Sequence, residues 1–118
     1  MGLSEIDTGG AWVPDACTLP AAHRPLRVAA FDELFTEAVR GIERPGQARL
    51  RLDLHPGPQV AGRAAELAAA ETGCCSFFTF TLTATGGGLV LEVTVPELHT
   101  GVLDALAARA AAAAGIAA

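Results

Sequence analysis

The sequence predicts an α+β domain, a two-layer sandwich in which helices cover one face of a three-stranded mixed sheet. Three observations predict it. Segments of apolar period two and segments of period three to four follow one another in the order α-β-α-β-β-α. The chain has 118 residues, enough for one core and too few for two. Apolar residues make up 51% and charged residues 18%, which fills an interior and excludes a disordered acidic chain.

Residues 1–16 contain Gly9, Gly10 and Pro14 without periodicity and read as a flexible N-terminal arm. The domain itself is expected over 17–112. Pro20 and Pro25 restrain an extended segment that brings Cys17 and His23 near the first helix. From Leu26 to Ile42, Phe31, Leu34, Phe35, Ala38, Val39 and Ile42 form one apolar stripe, and Gly41 and Pro45 supply the stop. "ARLRLDLH" alternates, with Leu50, Leu52 and Leu54 on one face and Arg49, Arg51, Asp53 and His55 on the other, as a half-buried strand does. The "PGP" at 56–58 turns the chain into an alanine-rich helix from Gln59 to Thr72, which Gly73 ends.

Two further strands follow, Ser76–Ala84 with Phe78, Phe80 and Leu82 inward, and Leu89–Val95, joined by the hairpin turn "TGGG". Leu98, Val102, Leu103, Leu106 and Ala110 open a last helix, and residues 113–118 form an alanine-rich tail expected to fray. The strand–helix–strand unit predicts a right-handed crossover, with the hairpin as an antiparallel neighbour. The sheet face that carries Arg49, Arg51, His55 and the threonines is either wet or a dimer surface, and a homodimer is expected.

A net charge of −5 opposes adhesion to nucleic acid or anionic lipid, so neither is expected as a partner. No run of about twenty apolar residues predicts a membrane span. "MGLSEIDTGG" has neither the basic region nor the apolar core of a secretory signal, so a cytoplasmic location is expected. In that compartment the three cysteines should be thiols.

Two of those cysteines stand together in "ETGCCSFFTF". Val60, Ala64 and Leu67 mark the buried stripe of the second helix, and Glu71 is the next residue in phase. Cys74 and Cys75 lie three and four residues further, so all three can share a face if the turn persists. A carboxylate pointing inward must be paired, hydrogen-bonded or metal-bound. A purely structural account covers the same residues: Glu71 bridges to an arginine or caps a loop, and the cysteines are small buried hydrophobes.

A disulfide between neighbours is disfavoured, since adjacent Cα atoms are about 3.8 Å apart and disulfides need about 4.4–6.8 Å. A bridge from Cys17 to either is geometrically open, but a reducing compartment opposes it. Soft metals fit better: thiolates favour Hg(II), As(III), Cu(I) and Zn(II), and two or three sulfurs suffice for the first three. Neighbouring side chains diverge on regular helix or strand, so both thiols reach one ion only where the backbone is irregular, and Gly73 offers that freedom. Cys17 is the natural third sulfur. His23, His55 and His99 lack ligand spacing; His55 and His99 suit solvent or capping roles.

"DACTLP" with "RPLRVAAFDELF", then "AAELAAAETGCCSFFTFTL" with "LVLEVTVP", resembles a small Cys-Cys-motif domain of actinobacterial proteins. That domain occurs alone or as the C-terminal ligand domain of MerR-type metal-responsive regulators. The resemblance covers about Asp15 to Leu106, and its motif is Glu71, Cys74, Cys75 and Phe77 with the upstream Cys17. It implies a pocket for a thiophilic metal or metalloid ion, with Cys17, Cys74, Cys75 and Glu71 as candidate ligands. The chain has no helix-turn-helix segment, so a stand-alone sensor, buffer or resistance accessory is the expectation. Two other classes stand beside it: organomercurial-lyase-like chemistry, two thiolates taking mercury while Glu71 relays a proton, and a ligand-free dimerisation domain.

Overall fold

The computed structural model describes residues 24–116. The expected arm, Cys17 and His23 lie outside the described residues. The protein is α+β: helix α1 (Arg24–Ala38), strands β1 (Val39–Gly46) and β2 (Arg49–Leu54), helix α2 (Pro58–Cys74), strands β3 (Thr79–Thr85) and β4 (Gly88–Thr94), a short 3-10 turn (Glu97–His99) and helix α3 (Thr100–Ala114). The sheet has four strands in the order β1-β2-β4-β3, and every pairing is antiparallel.

This corrects the expectation of a three-stranded mixed sheet. The missing strand is β1, whose residues look like the tail of the first helix. Val39 and Ile42 continue the helical spacing of Leu34, Phe35 and Ala38, yet the helix stops at Ala38. Branched Val39 and Ile42 favour extended backbone, and Gly41 weakens a helix interior. Register shifts between Val39 and Gly41 and between Glu43 and Gly46 then erase the two-residue alternation that would announce a strand. The carbonyl of Ala38 accepts the His55 amide at 2.7 Å, tying the helix end to the end of β2.

The strand–helix–strand unit is present, but β4 is inserted between β2 and β3. Because β4 runs antiparallel to both, β2 and β3 point the same way without touching along their edges. Leu50, Leu52 and Leu54 on β2 and Leu89, Leu91 and Val93 on β4 are buried on one face of the sheet. Against them pack Phe31, Leu34 and Phe35 of α1 and Leu103, Leu106 and Ala110 of α3, spacings of three and four residues that put each set on one helix face. The opposite face leaves Arg49, Arg51, Asp53, Thr79, Thr81 and Thr83 exposed. The bidentate pair from Arg109 to Asp32, at 2.9 and 2.8 Å, clamps α1 to α3. The alanine run at 113–118 begins as the last turn of α3, and Gly115 closes that helix in the left-handed conformation.

The β3–β4 hairpin turns on Gly86 and Gly87, with φ of 59° and 79°. This is the geometry that suits the twist of the flanking strands and that side chains with a Cβ resist. Gly87→Ala should lower stability by about 1 kcal/mol. Gly62→Ala, at an exposed helical position with open space around it, should raise it by about 0.5–1 kcal/mol. Urea unfolding midpoints moving in opposite directions, with the slope unchanged, are the expected readout.

Candidate functional site

Helix α2 presents Val60, Ala64, Leu67 and Glu71 to the interior; Ala64 and Glu71 are fully buried and the other two partly so. Glu71 is the one buried charged residue among the described residues, its side chain 1% exposed. Arg27 meets it from α1: Nη1 donates to Oε1 at 3.0 Å. The pair joins the first turns of α1 to the last turn of α2. Burial pushes the Glu71 carboxyl above its ordinary value, while the hydrogen bond and charge of Arg27 pull it back by less.

The ion pair answers one question the sequence leaves open, since Glu71 does bridge to an arginine. The partner was legible too. Arg27 stands four residues before Phe31 and eight before Phe35, in phase with the buried stripe of α1, so an inward cation mirrors the inward carboxylate.

Helix α2 does not stop at Gly73. It runs on to Cys74, and the chain leaves the helix at Cys75, with φ −125° and ψ 88°. The Cys75 amide still donates to the Glu71 carbonyl at 2.7 Å, and the Cys75 carbonyl accepts the Phe78 amide at 3.2 Å. A tight turn over 75–78 thus links the helix end to β3. Cys75 is buried at 1% exposure, whereas Cys74, one residue earlier and still helical, is half-buried. The backbone changes direction between the two sulfurs.

Cys75 is disulfide-bonded and Cys74 is a thiol, so the two neighbours are not bonded to each other. The partner of Cys75 lies outside the described residues. This corrects the expectation that all three cysteines are thiols. That expectation came from the compartment, whereas the helix end buries Cys75 in the core against which the half-buried Cys74 also packs.

Aromatic rings close around the turn. Phe77 lies 4.7 Å from Phe78 and stacks on the His99 ring at 4.1 Å. His99 is the N-cap residue of α3 but makes no side-chain cap; its ring instead ties the cysteine turn to the start of that helix. His55 is exposed. Among the described residues no three His, Cys, Asp or Glu side chains gather as a metal-holding group, and no helix is long and apolar enough to cross a membrane. Cys17, the candidate third sulfur, lies outside the described residues.

No family model matches the chain, and no curated protein or solved structure matches it either.

Two measurements probe the ion pair. Arg27→Ala strands a buried carboxylate and should cost about 3 kcal/mol at neutral pH. In a Glu71→Gln background the same change should cost only about 1 kcal/mol. The pH dependence has a definite sign. Because the folded carboxyl titrates above its ordinary value, its contribution is fully present below that ordinary value and is lost as pH rises through the raised one. Glu71→Gln removes this loss, so its stability relative to wild type should rise from mildly acidic to neutral pH. A constant difference across that range would mean that Glu71 titrates as it does in the unfolded chain.

Proposed function

We propose that the reduced protein binds one thiophilic metal or metalloid ion, such as Hg(II), As(III) or Cu(I), through Cys74 and Cys75. Cys17 serves as a third sulfur, and the role is that of a stand-alone sensor, buffer or resistance accessory. The observation that carries the reading is the break of α2 between the two cysteines. Regular backbone would point neighbouring thiols apart, and Cys75 is where the chain departs from helical geometry. Two sulfurs satisfy the low coordination numbers of Hg(II) and Cu(I), and a third suits As(III).

Binding follows reduction of the Cys75 disulfide. A dithiol reductant supplies two electrons and two protons, yields two protein thiols and itself becomes a disulfide. The incoming ion then displaces the thiol protons. The surroundings suit a cation. The last carbonyls of α2 carry the negative end of the helix dipole, opposite to the helix N-termini that promote nucleophilic thiolates. Glu71 adds a carboxylate but is engaged by Arg27, so it supports the turn instead of ligating the ion. The same engagement disfavours lyase-like chemistry, which needs a carboxylate able to relay a proton to a leaving carbon.

Titration of Hg(II), arsenite or Cu(I) into protein held reduced by a phosphine should saturate at one ion per chain. Cys74→Ser and Cys75→Ser should each weaken binding at least about tenfold, a loss of ~1.4 kcal/mol. Cys17→Ser should weaken it less, and Glu71→Gln should keep the stoichiometry. Wild-type affinity in both Cys74→Ser and Cys75→Ser, each still folded, would sink the reading.

A further inference from the structure

The two edges of the sheet are built differently. Strand β1 is blunted: it carries Arg40, Glu43, Arg44 and Pro45, and two register shifts interrupt it. Charges, proline and bulges are the devices by which natural edges avoid pairing with other chains. Strand β3 has none of them. Its sequence is "TFTLTAT", without charge, proline or glycine, and its pairing with β4 runs unbroken from Thr79 to Thr85. Among the described residues no strand lies beyond it.

The hairpin register says which backbone groups this edge offers. Thr85 and Gly88 flank the two-residue turn and form its closing, hydrogen-bonded pair. Counting back by twos, the backbone groups of Thr83, Thr81 and Thr79 also face β4. Those of Ala84, Leu82 and Phe80 therefore face outward. Their side chains point to the helix layer, yet Phe80 and Leu82 are only half-buried and Ala84 is exposed, unlike Leu89, Leu91 and Val93 on the neighbouring strand. Among the described residues, both the main chain and the apolar side chains of β3 stop one neighbour short of completion.

We propose that the neighbour is β3 of a second copy of this chain, paired antiparallel across a two-fold axis at Leu82. Directly opposed residues in such a pair share a face, so the axis sets Leu82 against Leu82, Phe80 against Ala84 and Thr81 against Thr83 of the other copy. Threonine meets threonine on the open face and apolar meets apolar under the helices, both favourable cross-strand combinations. No charge is set against its like. A second copy is selected because the edge carries no charge or proline that would oppose its own like, and one such pairing completes both copies' edges at once. It also keeps the helices of both copies on one side, where α2 packs over β3 and exposes the small residues Gly62, Ala65 and Ala69. The proposal is independent of metal binding.

Sedimentation of the full chain at about 50 µM should give a dimer. Ala84→Pro removes an outward N–H at an exposed edge position, which the folded monomer tolerates, and should shift the chain to monomer. Arg51→Glu, on the open face away from the edge, should leave the dimer intact. A monomeric wild type overturns the proposal, and so does a dimer that survives Ala84→Pro or is lost in Arg51→Glu. If Ala84→Pro does not fold, amide exchange of the wild type decides. Protection of Phe80, Leu82 and Ala84 that rises with protein concentration supports the paired edge, and concentration-independent exchange of all three overturns it.

Discussion

The ion pair between Arg27 and Glu71 is the constraint on which the cysteine turn depends. Among the described residues Glu71 is the one charged side chain in the core, at 1% exposure, and the guanidinium is at 17%. A carboxylate so placed is tolerable only with a partner, and the partner comes from another helix. The pair therefore fixes the relative position of α1 and the end of α2. The Glu71 carbonyl then receives the Cys75 amide, so the same residue anchors one helix through its side chain and the exit of the other through its backbone. A simpler apolar contact could hold the two helices together. It would not set the rotation of α2 about its own axis, and that rotation decides which cysteine is buried.

Much of this was legible from the residues. The three leucines of β2 alternate without interruption, and "TGGG" announces its hairpin, so these elements stand where the sequence puts them. The inward position of Glu71 follows from its phase with Val60, Ala64 and Leu67. What the sequence hides, it hides for identifiable reasons. Strand β1 shares its apolar spacing with the helix before it, and bulges scramble its alternation. The insertion of β4 between β2 and β3 is invisible to local patterning, because both strands have the same inward faces whichever neighbour they take. The extension of α2 past Gly73 also goes against a local signal: the glycine there is exposed, with open space around it and no positive φ, so it serves as an ordinary helical residue.

The disulfide at Cys75 shows the limit of an argument from compartment. Three thiols follow only if the compartment is reducing, whereas at the end of α2 one of the two adjacent cysteines is a buried, bonded sulfur and the other a half-buried thiol. The division has a chemical consequence. A thiol beside a disulfide needs no diffusion to attack it, but attack by Cys74 on the Cys75 sulfur would form the strained bridge between neighbours, so exchange at that sulfur is disfavoured. The Cys75 sulfur is buried beneath the turn, which restricts that attack, and the aromatic contacts of Phe77 with Phe78 and His99 hold the turn shut.

Electrostatics separates the functional readings more sharply than the sulfur count does. A nucleophilic cysteine works best where positive potential stabilises its thiolate, as at a helix N-terminus or beside a lysine or histidine cation. Here the pair occupies the opposite end of a seventeen-residue helix, above a buried glutamate whose one described cationic neighbour it already holds. Two thiolates formed there would add negative charge to a negative end. The positive charge of a soft cation would offset that cost. The direction of α2, not the identity of the two cysteines, therefore argues against a readily formed thiolate nucleophile and is the electrostatic ground of the proposed ion binding.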